Sequence, residues 1–295
     1  MKYSLYHTTR YKYSDAVPVC HNIVHLRPRE MERQSFSDFQ MIVHPEPFDI
    51  RESTDSFGNS ETYFSIEQAH MGLTITATCN ATIHDKPIDV NDSNNHEEWQ
   101  SIKEQLARPK SAELIDHSQF RFDSPRVKPF PSVREYAQQS FLPDRSVLAA
   151  CLDLTERIHN DFAYDPRATT VLTPIESVFQ DRRGVCQDFA HLQIACLRSL
   201  GLACRYVSGY MRTYPPPGKE RLMGCDASHA WVSVYCGNAG WIDFDPTNNV
   251  IPNDDYITLA WGRDYSDVCP IRGVILGGGN HQMLVSVDVE PQLAS

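Results

Sequence analysis

The 295-residue chain carries nine cysteines, at positions 20, 79, 151, 186, 196, 204, 225, 236 and 269, yet none forms a CxxC pair. That absence argues against a structural zinc site. No apolar run approaches the length of a membrane span. The N-terminus, Met1-Lys2-Tyr3-Ser4-Leu5-Tyr6-His7, lacks the apolar core of a signal peptide. Positive charge is also scarce: 27 Lys and Arg stand against 38 Asp and Glu, a formal net charge of −11. An acidic surface argues against nucleic acid or an anionic membrane as the main partner. No internal repeat is present. Residues 89–98 are polar and turn-rich, but a calcium loop starting at Asp89 would need glycine at Asn94 and glutamate at Gln100. They read as an exposed linker. Most of the thiols sit inside apolar helix or strand patterns, as reduced cysteines of a cytosolic protein do. The expectation is a soluble, cytoplasmic protein that needs no metal and no cofactor. Its length suits one large domain or two smaller ones.

Along the chain, residues 1 to about 85 read as β. Tyr3, Leu5, His7, Thr9, Tyr11 and Tyr13 alternate with their neighbours, as one face of a strand does. Phe39, Met41 and Val43 repeat the pattern, and Asp55-Ser56-Phe57-Gly58-Asn59 signals a turn. Tyr63 to Ile66 and Leu73 to Ile83 supply further strands. Beyond the linker the periodicity becomes helical. Ser132 with Glu135 has capping-box spacing. Leu148, Cys151, Leu152, Thr155, Ile158 and Phe162 form one helix face. Thr173-Pro174-Ile175-Glu176 reads as another helix start, with Thr173 as cap, Pro174 at the first position and Glu176 at the third.

Next comes Gly184-Val185-Cys186-Gln187-Asp188-Phe189-Ala190-His191, which opens a predicted helix over about 186–200. Its apolar residues surround it on every side, so it should be central and buried. Gly184 permits a sharp turn ahead of it, and Gly201 signals its end. A thiol at the positive end of such a helix has its anion stabilised by the helix dipole and the unpaired N–H groups there. A free cysteine can also be an ordinary small apolar core residue. Strands follow at Cys204–Tyr210, His229–Tyr235 and Trp241–Asp245, with a last one at Met283–Val289 after the Gly277-Gly278-Gly279 break. Helix followed by antiparallel strands means α+β.

Cys186, His229 and Asp245 occur in the order nucleophile, base, orienting carboxylate. A histidine starting one strand and an aspartate ending its hairpin partner can meet at one end of a sheet. A cysteine on the helix packed there can face them. Alternation points Asp243 to the same face, so it competes with Asp245, which the Pro246-Thr247-Asn248 after it favours. Gln187 and the Cys186 N–H are candidate oxyanion donors. Arg263 and Asp264 either brace the site or form a structural ion-pair network. His191 reads as a packed residue. Between Met211 and Ser228 the chain carries Pro215-Pro216-Pro217-Gly218, a segment expected to wall the cleft and select substrate.

The Gly184–His191 stretch, Arg205-Tyr206-Val207-Ser208-Gly209-Tyr210, His229-Ala230-Trp231-Val232 and Gly240-Trp241-Ile242-Asp243-Phe244-Asp245-Pro246-Thr247-Asn248 together resemble the bacterial transglutaminase-like family. Gly262-Arg263-Asp264-Tyr265-Ser266-Asp267-Val268 resembles a further block of it. The N-terminal third, from Tyr3 through Asn59, resembles the β region that precedes the core in these proteins. The resemblance implies a papain-like thiol core with a triad at Cys186, His229 and Asp245. Members act as cysteine proteases or as enzymes that cross-link or deamidate glutamine. Animal transglutaminases carry tryptophan beside the cysteine; Gln187 stands there in this chain, which weighs against cross-linking.

The expected architecture is an N-terminal β domain (1–88), a connector (89–130), a transglutaminase-like core (131–270) and a C-terminal strand segment (271–295). The expected function is acyl transfer through a thioester, hydrolysing peptide or side-chain amide bonds of a peptide or protein substrate. Transfer to amines is the rival enzyme reading, and a catalytically silent binding module the rival from another class. A zinc-dependent glycanase of the same core is disfavoured by the missing CxxC pairs.

Overall fold

A computed structural model describes residues 1–84, 88, 96–214 and 226–292. Residues 89–95 of the linker and 215–225 of the proline loop lie outside the described residues, so the expectations for both stay at the level of sequence.

The N-terminal strands are β1 (Lys2–Val17), β2 (Val19–Val24), β3 (Gln34–His44), β4 (Asp49–Thr54), β5 (Ser60–Ile66) and β6 (His70–Ile83). They divide between two antiparallel sheets whose facing sides share one apolar cluster. Alternation does the local work: Leu73, Ile75, Ala77, Cys79, Ala81 and Ile83 of β6 are buried and the residues between them are not. Two C-terminal strands complete the sheets. β13 (Ile271–Leu276) pairs with β2, and β14 (His281–Pro291) pairs with β1. Residues 271–291 therefore belong structurally with the first eighty residues.

The helices are α1 (Trp99–Ala107), α2 (Ala112–Ser118), α3 (Pro131–Gln138), α4 (Val147–Asp161), α5 (Ile175–Asp181), α6 (Cys186–Ser199) and the single turn α7 (Tyr265–Val268). Two-residue strands β7 (Ala163–Tyr164) and β8 (Arg183–Gly184) pair just ahead of α6. Residues of the expected connector, Ile102, Leu106, Phe120 and Val127, are buried in the same cluster as α6. Neither cap expected for α3 or α5 forms. α3 starts at Pro131, which places Ser132 inside the helix and leaves no capping role for it. Pro174 sits at the cap of α5, and Thr173 Oγ1 instead accepts from the Thr170 N–H at 2.9 Å. α6 is buried throughout from Asp188 to Arg198 and ends at Gly201, whose φ of +87° suits glycine.

The central sheet runs β11 (Trp241–Phe244), β10 (Ala227–Tyr235), β9 (Cys204–Met211), β12 (Tyr256–Gly262), all antiparallel. Tyr206, Val232, Val234 and Phe244 pack on the helical side. Tyr210, Ile257 and Leu259 pack into the β-domain cluster. The sheet thus packs against both the helices and the β domain. Its outer strand β12 is closed by side chains. Gln34 donates to the Thr258 carbonyl and accepts from the Thr258 N–H, both at 2.8 Å. Asn59 does the same for Trp261, at 2.8 and 3.0 Å. An edge strand is covered without a neighbouring strand, and the two layers are tied together.

Candidate active site

Cys186 is the first residue of α6 and is partly exposed, in contrast to the buried helix behind it. Asp188, at the third helical position, accepts from the Val185 N–H at 2.9 Å and from the Thr169 hydroxyl at 2.6 Å. Burial pushes its carboxyl upward against those hydrogen bonds. This brace explains Gly184 better than a turn does: an added Cβ would lie 2.8 Å from Asp188 Oδ2, so the glycine is fixed by close approach. The first bond within the helix runs from the Asp188 N–H to the Val185 carbonyl at 2.9 Å. The N–H groups of Cys186 and Gln187 precede it and lie at the positive end of the helix.

His229 is buried on β10, next to the central strand β9. Its Nε2 donates to Asp245 Oδ2 at 2.7 Å, since a carboxylate only accepts. That bond leaves Nδ1 to face the Cys186 thiol, which lines the same cleft and helps to raise the imidazole pKa. Burial works against the imidazolium. The hydrogen bonds and charges of Asp245 and Cys186 outweigh it, and the His229 pKa rises to about 10. Asp245 is fully buried and fully partnered. Asn248 Nδ2 and the Tyr256 hydroxyl each donate to Oδ2 at 2.7 Å, and the Thr247 N–H donates to Oδ1 at 2.8 Å. Burial pushes its carboxyl up, but these donors and His229 carry it below its ordinary value.

Cys186 and His229 open into a cleft of about 420 Å³. Gln187, Tyr206, Ser208, Ser228 and Tyr265 line it from the core side. The other wall is the β domain: His7, Thr9 and Tyr11 of β1 beside Met283, Val285 and Val287 of β14. His7 is held by the Tyr210 hydroxyl at 2.9 Å and Thr9 Oγ1 at 2.8 Å, and burial lowers its pKa to about 4.

The structure brings together Cys186, His229, Asp245 and Gln187. It keeps apart the other residues singled out from sequence. Asp243 shares the face of Asp245 as alternation predicted, but its Oδ2 accepts from Trp231 Nε1 at 3.0 Å and lies 3.8 Å from Arg33. Arg263 is paired through two nitrogens to Asp267, both at 2.9 Å. Asp264 caps α7 and accepts from the Arg126 N–H at 2.7 Å. His191 accepts from the Tyr265 N–H at 3.2 Å, and burial lowers its pKa to about 4. Asn248 and Tyr256 were not found from sequence; the only signal for Asn248 was its place three residues after Asp245. Among the described residues, His25, Asp55 and Glu61 could supply three metal ligands. They are not among the residues lining the cleft, and Asp55 already accepts from the Phe57 and Asn59 N–H groups.

Comparison with known proteins gives a consistent result. Residues 3–82 match the bacterial transglutaminase-like N-terminal region, and residues 134–246 match the transglutaminase-like superfamily core. An uncharacterised protein of Mycobacterium tuberculosis is 40% identical over 98% of this chain and 93% of its own length. A protein-glutamine gamma-glutamyltransferase of Pseudomonas aeruginosa is 30% identical over 132 residues, 44% of this chain and 19% of that protein. A solved structure of a candidate cysteine protease from Cytophaga hutchinsonii superposes with a TM-score of 0.78 at 23% identity, over 100% of this chain and 92% of that one, and so shares the fold. No helix among the described residues is long and apolar enough to cross a membrane. The chain belongs to the transglutaminase-like superfamily, with the bacterial transglutaminase-like N-terminal region ahead of its core.

Proposed function

We propose that the protein is a thiol-dependent acyl-transfer enzyme that hydrolyses peptide or side-chain amide bonds, with Cys186 as nucleophile, His229 as base and acid, and Asp245 as its orienting carboxylate. One observation carries the reading: His229, held by Asp245 at 2.7 Å from Nε2, lines the same open cleft as Cys186. The sulfur attacks the amide carbon, and the carbonyl oxygen gains the negative charge. The N–H groups at the start of α6 and the Gln187 side chain, which lines the cleft, are the donors assigned to that charge. The C–N bond breaks as His229 gives its proton to the leaving amine, and a thioester remains on Cys186. His229 then takes a proton from water, which attacks the thioester and frees the acid and the thiol. A His229 pKa near 10 supports a resting state in which the imidazole is charged at neutral pH.

Transfer of the acyl group to a primary amine is the second reading. It is favoured by the partial similarity to the Pseudomonas glutamyltransferase. One experiment separates these readings and a silent binding module. The protein is incubated with a peptide library with and without a primary amine, quenched in acid, and examined by mass spectrometry. An acyl adduct on Cys186 that decays to free acid is expected. Conjugate to the amine as the main product would support transfer. No adduct in the wild type, or an undiminished adduct in Cys186→Ala, would sink the acyl-enzyme.

A further inference from the structure

The strand β14 contributes more to the cleft than a wall. Its pairing with β1 sets Met283 opposite Tyr11, Val285 opposite Thr9 and Val287 opposite His7. Val287 is 2% exposed, but Val285 is 47% and Met283 55% exposed. The row of apolar side chains therefore rises out of the core along the cleft. Large apolar residues left open on an outer strand are an aggregation hazard, and proteins usually hide or use them.

The backbone of β14 points the same way. The Gln292 N–H donates to the Lys2 carbonyl at 2.8 Å, so even-numbered residues turn their polar groups toward β1. On the opposite edge, the Asp226 N–H donates to the Val287 carbonyl at 3.2 Å, and the Asp226 carboxylate accepts from the Val289 N–H at 2.6 Å. Odd-numbered residues thus face outward, and Asp226 already sits there as a strand neighbour would. Alternation turns the N–H and C=O groups of Val285 and Met283 to the same outer edge. Among the described residues, β14 pairs with β1 and, at Val287 alone, with Asp226. Asp226 itself lines the cleft with Ser228 and His229.

We propose that a peptide substrate lies extended along the outer edge of β14 at Met283–Val285, adding a strand to the β domain, with a large apolar side chain against Tyr11, Met283 and Val285. This rests on the acyl-transfer reading of the same cleft. Main-chain hydrogen bonds to the edge hold the peptide, and the apolar row selects the side chain beside the amide presented to Cys186. An acidic side chain at that position is rejected, because burial against this row strips its water without supplying a partner.

The test reads binding apart from chemistry. Dye-labelled hexapeptides are titrated onto full-length Cys186→Ala and followed by fluorescence anisotropy. Peptides with central Leu or Phe should bind at least about tenfold tighter than the same peptide with central Asp. N-methylation of alternate amides should weaken binding in one register and not in the other. Val285→Asp should erase the preference; Met283→Asp serves as a second variant, and a thermal melt checks that each is folded. Equal binding of Leu and Asp peptides, or a preference untouched in both folded variants, overturns the proposal. Failure of the acyl-transfer reading looks different: selective binding would persist while the wild-type protein turned over none of the bound peptides.

Discussion

The hydroxyl of Tyr256 donates to Oδ2 of Asp245 at 2.7 Å, the same oxygen that receives the proton of His229. Tyr256 comes from β12 and His229 from β10, so the carboxylate is fixed by two strands that are not neighbours. The geometry makes Asp245 a poor proton acceptor and a good orienting group. Asp245→Asn should fold and lose about 10⁴-fold in turnover, because the amide would hold the wrong imidazole tautomer. Asp243→Asn should cost less than about tenfold, since Asp243 touches Trp231 and not the imidazole. Steady-state kinetics on an amide substrate of both variants would expose a wrong choice of carboxylate if the losses were reversed.

Tyr256→Phe removes one donor from a buried charge. A stability loss of about 1.5–3 kcal/mol is expected in urea unfolding, the range for a hydrogen bond to a charged group. Turnover should fall far less than in Asp245→Asn, because Asn248 and His229 still hold Oδ2. Equal losses of activity in the two variants would mean that Tyr256 meets substrate.

Cys186 should be the first thiol alkylated by limiting iodoacetamide at pH 6. Among the described cysteines only it and Cys269 are not buried, and only Cys186 faces an imidazole. The hydrogen bonds and charges of Asp245 and Cys186 raise the His229 pKa, so the imidazole beside the sulfur carries a charge at pH 6. In His229→Ala, Cys186 should lose its lead over the other thiols. Mass spectrometry of the labelled cysteines tests this, and even labelling across them would refute it.

Acid should weaken the fold through His7 and His191, buried and neutral, each with a pKa near 4. A depressed histidine pKa means stability that is complete above the unfolded value of about 6.5 and lost as pH falls from there toward 4. Melting temperature should hold near neutrality and drop between pH 6.5 and 4. In His7→Gln the drop should be shallower, with a lower starting point because the Tyr210 bond is altered. Parallel melting curves for the two proteins would show that His7 does not titrate in this window.

Asn59 is fully buried and serves both the N–H and the carbonyl of Trp261. Asn59→Ala leaves those groups without partners. A loss of about 2–4 kcal/mol is expected, seen as a lower urea midpoint. If Asn59→Ala unfolds at the wild-type midpoint, β12 is not held by this amide.

Much of the fold could be read along the chain because it follows from local alternation. β1, β6 and α6 announce themselves through side-chain period, and Gly201 marks the end of α6 where a positive φ is needed. Capping-box spacing misled at Ser132, since Pro131 had already begun the helix; the fixed φ of a proline suits that first position. The candidate catalytic residues were also legible, because a thiol at a helix start and a histidine and aspartate at strand ends each carry a local signature. Their mutual arrangement was not in the sequence. The 2.7 Å contact of His229 with Asp245 depends on the pairing of β10 with β11, and the bond from Trp231 to Asp243 appears only once those strands are side by side. Asn59 and Gln34 looked like turn and strand residues; only β12 arriving beside them gave their amides a task. Likewise β14, at the far end of the chain, became a wall of the cleft only by pairing with β1. Periodicity and end signals are properties of neighbouring residues, so sequence alone determined them. Which distant edges and side chains meet depends on how whole layers pack, and that the tertiary structure alone decided.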